Sequence, residues 1–314
     1  MIQDDFIVYT KNGLYCKTGD FFIDPVKSVH KAIITHAHAD HAVRGHAEIF
    51  CTQPTADVMK ARYAQHAGKK FNLLNSKSCF HIKDVKINFL PAGHILGSVQ
   101  VLLEYENIKY LYTGDFKLQS DLTCESYEYA EADVLITEST FAEPNKFHPE
   151  TKIEIGKLNE ISDKGIIIGS YSLGKAQRLT QLISEICPQK EIFIHSKIYP
   201  FHKIYESHKI NLGRWKPYTS QLFKRLKQCV YIVPPNVLSS YQGRKDYYTA
   251  FATGWDHLQN GYNLKLNISD HADWKDVLNV IEKTNPKKIL TLHGDGQPLK
   301  KHFTNSEIEV RILN

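Results

Sequence analysis

What the 314-residue chain lacks narrows its nature first. No uninterrupted apolar stretch approaches the roughly 20 residues that a membrane-spanning helix needs, so no membrane partner is expected. The opening residues, MIQDDFIVYT, carry neither a basic leader nor an apolar segment behind it and do not read as a secretory signal. Cysteine is sparse and scattered, at Cys16, Cys51, Cys79, Cys124, Cys187 and Cys229, with no CxxC pair. That spacing excludes a disulfide scaffold and reads as reduced thiols, so the expected location is cytoplasmic. Internal repeats, low-complexity tracts and long linkers are also missing, which excludes a solenoid and requires any second domain to be inserted compactly.

What is present suits a well-packed globular chain. Hydrophobic residues make up 42% and charged residues 23%, enough to fill a substantial core. The net charge of +5 is unevenly placed: residues 145–265 hold 18 Lys and Arg against 9 Asp and Glu, whereas the remainder holds 21 against 25. A basic middle between acidic flanks points to a polyanionic partner, although a solvated lysine-rich surface would give the same count.

The pattern opens on strands. Two alternating apolar runs flank Asn12-Gly13 in DDFIVYTKNGLYCK, the signature of a hairpin with a type I′ turn. Further strands are expected over 31–36, 47–52, 85–92, 97–105 and 108–116, the last two joined across Glu106-Asn107, and over 132–140. A helix is expected over 55–68, opening after Pro54 and closing on Gly68. From about 145 the texture becomes strand, Gly/Ser turn and amphipathic helix in KGIIIGSYSLGKAQRLTQLISEI, and α/β alternation continues to about 265. After that come NLKLNISDHADWKDVLNVIEK, KKILTLHGDGQPLKKHF and a last strand, EIEVRIL.

Chemistry concentrates at HAHADH, where His36, His38, Asp40 and His41 follow a buried strand. Imidazole and carboxylate suit zinc and neighbouring metals, and the alternate spacing of His36 and His38 lets both address one ion while Asp40 and His41 address another. A polar loop cluster is the plainer reading of any one of these residues, but four within six positions favour metal. Two ions need more ligands. Candidates at other strand ends are His94 in PAGHILGS, Asp115 in YTGDFK and His293 in LTLHGDG.

Taken together, HAHADH, AGHILGS and TGDF resemble the metallo-β-lactamase superfamily, whose αββα sandwich holds two metals at the sheet edges. The resemblance implies that His36, His38 and His94 bind one ion, that Asp40, His41 and His293 bind the other, and that Asp115 bridges them. It implies two divalent ions, Zn2+ or alternatively Mn2+. Asp24, in FFIDP, matches the first-strand aspartate that would orient a ligand histidine. ITESTF with Glu138, SDHAD with His271, and His293 are similar to the A, B and C motifs of the β-CASP nucleases, which flank an inserted domain. The expected class is therefore α/β (α+β): a metallo-β-lactamase sandwich from 1–144 and 265–314, with an α/β β-CASP domain inserted over 145–264.

Inside the insertion, GSYSLGKAQRL resembles the TYSIGKE element of Artemis-type DNA nucleases. There Ser170, Ser172, Lys175 and a helix start would hold a terminal phosphate. From GLYCKTGDFFIDP to the end, the chain resembles the bacterial DNA-ligase-associated exonucleases. That resemblance implies a metal-dependent exonuclease acting on 5′-phosphorylated, single-stranded DNA in repair, associated with an ATP-dependent DNA ligase and a helicase. Asp40, His271 and Glu138 would be catalytic, with Asp273 or Glu138 orienting His271 and Ser269 or Asp270 capping the helix behind it. Arg178, Arg214, Arg244 or Lys245 would meet phosphates, and Tyr241, Tyr247, Tyr248 or Trp215 would stack on bases. One feature departs from the Artemis type, which usually lacks the motif C histidine that RNA-processing members keep, here His293. An RNA-processing nuclease and a non-catalytic nucleic-acid-binding scaffold are the competing expectations.

Overall fold

The computed structural model describes residues 2–3, 5–220 and 228–313. Its first strands obey the alternation read from the sequence: β1 (Ile7–Thr10), β2 (Gly13–Cys16), β3 (Phe21–Ile23), β4 (Lys31–Ile33), β5 (His46–Thr52) and β6 (Gly68–Leu74) form one sheet in that order. The turn after β1 differs from expectation. Thr10 pairs with Gly13, so Lys11 and Asn12 are the loop, and a positive φ of 108° falls on Gly13 but not on Asn12. A type I′ turn needs positive φ at both central residues; here the positive φ falls instead on the glycine that follows them, the position a glycine bulge uses.

The second sheet runs β19-β18-β11-β10-β9-β8-β7. It comprises β7 (Cys79–Ile82), β8 (Val85–Pro91), β9 (Val99–Tyr105), β10 (Ile108–Tyr112), β11 (Val134–Ser139), β18 (Lys288–Gly294) and β19 (Glu309–Ile312). Here a two-residue turn with positive φ at both positions does occur, at Glu106 (49°) and Asn107 (61°), between paired Tyr105 and Ile108. β8 alternates buried and half-buried residues, as expected of a strand with one covered face, whereas every residue of β11 is buried. β11 lies between parallel neighbours β10 and β18 and is covered on both sides, which is why VLI reads as an apolar run without alternation.

The two sheets pack face to face around Phe6, Phe21, Ile33, Phe89, Val101, Tyr112 and Ile136. Helix Gln53–Tyr63 covers the outer face of the first sheet through Ala56 and Met59. Helix Trp274–Thr284 covers the outer face of the second through Trp274, Val277, Val280 and Ile281. The result is the expected αββα sandwich. The first of these helices starts earlier and ends sooner than its pattern suggested. Thr52 caps it, accepting from the N–H of Thr55, and Ala64 at φ 49° ends it. Gly68 then opens β6 rather than closing the helix, so GKKFNLL is a strand that its lysines concealed.

These elements belong to a unit comprising Met1–Ser120, Cys124–Phe147 and His271–Asn314; a second unit comprises Asp121–Thr123 and His148–Asp270. The second unit is built on a sheet of order β14-β13-β15-β12-β16-β17 in which every described pairing is parallel. Its strands are β12 (Gly165–Gly169), β13 (Glu191–Ile194), β14 (Lys216–Pro217), β15 (Cys229–Val233), β16 (Tyr247–Thr253) and β17 (Leu264–Asn267). Ala176, Leu179 and Ile183 of helix Lys175–Ile186 pack on one face of this sheet, and Leu238, Phe251 and Tyr231 form the core on the other.

Candidate metal centre

Just beyond β4 the chain runs through Thr35 and His36 into a turn in which the carbonyl of His38 accepts from the N–H groups of His41 and Ala42. That turn aims three imidazoles at one point. The rings of His36 and His41 lie 4.1 Å apart, and those of His36 and His38 5.0 Å apart. His94, from the loop after β8, brings its Nε2 to 3.0 Å from Nδ1 of His38. Asp115, three residues beyond the end of β10 and just after Thr113-Gly114, places Oδ2 3.5 Å from Nε2 of His36, 3.4 Å from that of His41 and 3.8 Å from that of His94. One carboxylate oxygen therefore stands among three ring nitrogens. Gly114 permits this approach: its φ is +55°, and an added Cβ would lie 3.0 Å from Thr35 Oγ1.

A buried relay orients the rings. Asp24 Oδ1 accepts from the N–H of Thr35, while Oδ2 accepts from the Thr35 hydroxyl at 2.6 Å and from Tyr112 at 3.2 Å, and lies 2.9 Å from Nδ1 of His41. With the hydroxyl proton committed to Asp24, Thr35 Oγ1 accepts from Nδ1 of His36, 3.1 Å away. In their neutral forms both histidines carry the proton on Nδ1 and leave the Nε2 lone pair facing Asp115, the tautomer a metal ligand needs. The two fates differ electrostatically. Burial, then the charge of His41, holds His36 well below the usual imidazole range, and burial, then His38, does the same to His94. Burial also opposes charge on His41, but Asp115 and Asp24 outweigh it and raise that group well above its ordinary value. Asp115, despite burial, is held well below the carboxylate range by His41 and His271.

His36 Nε2 is buried without a hydrogen-bond partner. Such an atom is costly unless something else fills its coordination, and the surrounding imidazoles and carboxylate are donors that first-row divalent cations accept. The residues fit a metal. Donor atoms of His36, His38, His94 and Asp115 all lie within 4.8 Å of one another. The second expected set is looser and more open: Asp40 Oδ2 is 3.9 Å from His41 Nε2 on a side chain 76% exposed, and the rings of His41 and His293 are 5.0 Å apart. His293 owes its position to a bulge. Glu138 pairs with Leu292 but Ser139 pairs with Gly294, leaving His293 as the extra residue, at φ 51°.

Donor atoms of Asp115, Glu138 and His271 form another group within 4.8 Å. Glu138 Oε2 is 2.8 Å from Nδ1 of His271, and Oε1 accepts from the N–H of Phe116 at 2.8 Å. Of the two carboxylates considered for orienting His271, Glu138 is bonded to it. Asp273 instead caps helix Trp274–Thr284 by accepting from the N–H of Asp276, so neither Ser269 nor Asp270 is the cap.

The second unit corrects several expectations. Lys175 does not face an anion pocket beside Ser170 and Ser172: it is 3% exposed, and its Nζ donates to the Ile268 carbonyl and lies 3.5 Å from Asp270. At that helix start the N–H of Gly174 donates to Gln177, whose side chain fills the role assigned to phosphate. Ser170 is fully buried. Arg178 is buried too, donating to the Ser269 carbonyl, Asp270 and Thr151, with Asp121 3.6 Å away. An amphipathic pattern cannot separate a surface cation from one swallowed by paired carboxylates. Trp215, half-buried, donates to Glu206, and Tyr241, Tyr247 and Tyr248 pack against the second unit's cores. Arg214 donates to the Pro188 carbonyl, whereas Arg244 and Lys245 are exposed.

Sequence reasoning also passed over Thr35, Tyr112 and Arg62, whose Nη1 donates to the carbonyl of Ala37 between two of the histidines. None stands in a motif; only contact reveals them.

A two-sheet sandwich flanked by helices, with histidines and aspartates converging at its strand ends, defines a metallo-β-lactamase fold. No protein-family model matches the chain. Among curated proteins it is 31% identical over 307 residues to a probable DNA ligase of Opitutus terrae, covering 90% of this chain and 28% of that one. It is 26% identical over 360 residues to an RNase J-like protein of Methanocaldococcus jannaschii, covering 90% and 86% respectively. It is 22% identical over 295 residues to cleavage and polyadenylation specificity factor subunit 3 of Dictyostelium discoideum, covering 73% and 38%. Less than a third of the probable ligase is thus spanned. The chain belongs to the β-CASP branch of the metallo-β-lactamase superfamily. Among the described residues no helix is long and apolar enough to cross a membrane.

Proposed function

We propose that this chain is a metal-dependent exonuclease that hydrolyses phosphodiester bonds of single-stranded, 5′-phosphorylated DNA. The observation that carries the reading is Asp115 Oδ2, held within 3.4–3.8 Å of Nε2 of His36, His41 and His94. His36, His38 and His94 would hold one divalent ion and Asp40, His41 and His293 a second, with Asp115 shared; zinc suits the donors, and manganese is the alternative. Bound ions supply Lewis acidity, lowering the pKa of a water and neutralising charge on the phosphate. The rest falls to the chain. Asp24 and Thr35 fix the ring tautomers, and Glu138 holds Nδ1 of His271 so that its other nitrogen can meet a phosphate oxygen or protonate the departing one. The second unit is proposed as the inserted β-CASP domain, contributing basic surface to the strand.

Similarity to a protein described as a probable DNA ligase supports DNA and an association with ligation; a helicase as further partner and a place in cytoplasmic repair belong to the same proposal. A second reading, an RNA-processing nuclease, is favoured by His293 beside His41 and by the RNase J-like relative. End-labelled DNA and RNA strands of one sequence, with and without 5′ phosphate, digested by wild-type and Asp115→Ala protein, decide between them. Preferential, phosphate-dependent shortening of DNA that the variant lacks supports the exonuclease; faster RNA cleavage selects the second reading. Equal cleavage by the variant overturns both.

A further inference from the structure

Lys117 has no place in the chemistry above, yet it is 1% exposed and reaches the pocket's framework from two residues beyond Asp115. Its Nζ donates to the carbonyls of Gly93, at 2.6 Å, and of His94, at 2.5 Å, and lies 3.6 Å from Cys124 Sγ. The backbones touch as well: Gly93 has φ +71°, and a Cβ there would lie 2.4 Å from the Lys117 carbonyl. The same short segment is pinned elsewhere, since Phe116 donates to Glu138 and accepts from the N–H of Ala272.

Burying an ammonium is costly unless strong hydrogen bonds recover it, as two carbonyls facing one point do here. What those bonds join is specific. One loop carries His94, whose own N–H donates to Ser98, and the other carries Asp115. Resting on the metal-site reading above, we infer that Lys117 is a positioning residue: it clamps the His94 loop to the Asp115 loop and so fixes the 3.8 Å separation of their donor atoms. Replacing it leaves every ligand in place but loosens their spacing, and supports of this kind are worth about 10–100-fold in metal affinity.

Lys117→Met keeps the stem and removes the charge. Lys190→Met is the matched control, because Lys190 is another buried lysine that donates to a carbonyl, that of Ile161 in the second unit. Metal-stripped proteins are titrated with cobalt(II), reading the visible absorption band and affinity against a chelating dye, with thermal unfolding of the stripped proteins measured alongside. The expected result is a weakening of about tenfold or more and an altered band for Lys117→Met, with wild-type values for Lys190→Met. Should Lys117→Met fail to fold, Lys117→Gln is read the same way. Unchanged affinity and band in the folded Lys117 variant, or equal losses in both variants, overturn the clamp. Wild-type protein that takes up no cobalt overturns the metal-site reading itself, a separate outcome.

Discussion

Asp24 Oδ2 lies 2.9 Å from Nδ1 of His41, and the same carboxylate receives the Thr35 hydroxyl, which in turn receives Nδ1 of His36. One acidic side chain thereby sets two ring orientations. Asp24→Asn keeps the shape and removes the charge, so metal should bind about tenfold more weakly while the fold persists. Calorimetric titration of the stripped protein checks this; wild-type affinity would show the relay to be idle.

Glu138 and His271 make a second such pair. In Glu138→Gln the amide presents N–H to Nδ1 and forces the opposite tautomer on the imidazole. Turnover is expected to fall about a hundredfold with metal content unchanged. Parallel measurement of kcat and metal per chain separates this from ligation, because a joint loss would make Glu138 a ligand.

Arg178 bonds Asp270, Ser269 and Thr151 in the buried interior of the second unit. Arg178→Met takes from buried Asp270 its hydrogen-bonded guanidinium, leaving Lys175 3.5 Å away, and should cost that unit up to roughly 3–5 kcal/mol. Urea unfolding followed on the second unit's tryptophans gives the difference, and a loss under 1 kcal/mol would contradict the hub.

Burial, and then the charge of Asp273, raises the Asp276 carboxyl from 3.8 to about 6. A carboxyl that holds its proton more tightly when folded adds its stability below the unfolded value of 3.8 and loses it as pH rises through about 6. Asp276→Asn removes the charge at every pH, so it should exceed wild type by about 1 kcal/mol at pH 8, allowing for partial exposure, and match it near pH 4. Urea midpoints at both pH values check the sign; a gain confined to acid would reverse it.

The sandwich was legible because periodicity registers one-sided burial, as along β8, and because β11 announces two-sided burial by an apolar run without alternation. Gly68–Leu74 escaped since an edge strand with exposed lysines shows neither signal. At the centre, His36, His38, His94 and Asp115 were readable from spacing and resemblance, and the structure brings them together. Lys175 and Arg178 were misread because a cation's partners, Asp270 and Asp121, lie far away in sequence. The same holds for Tyr112 and Lys117, whose roles consist wholly of contacts across loops.

The bulge that frees His293 depends on β18 lying against β11, a pairing between segments some 150 positions apart. During synthesis, the histidines near position 36 emerge long before that partner strand does. An incomplete or clipped polypeptide can thus present a few imidazoles but not the finished pocket. The complete set of candidate ligands is therefore assembled only once β18 has been made and paired with β11, although His36, His38, His94 and Asp115 all precede it in the chain.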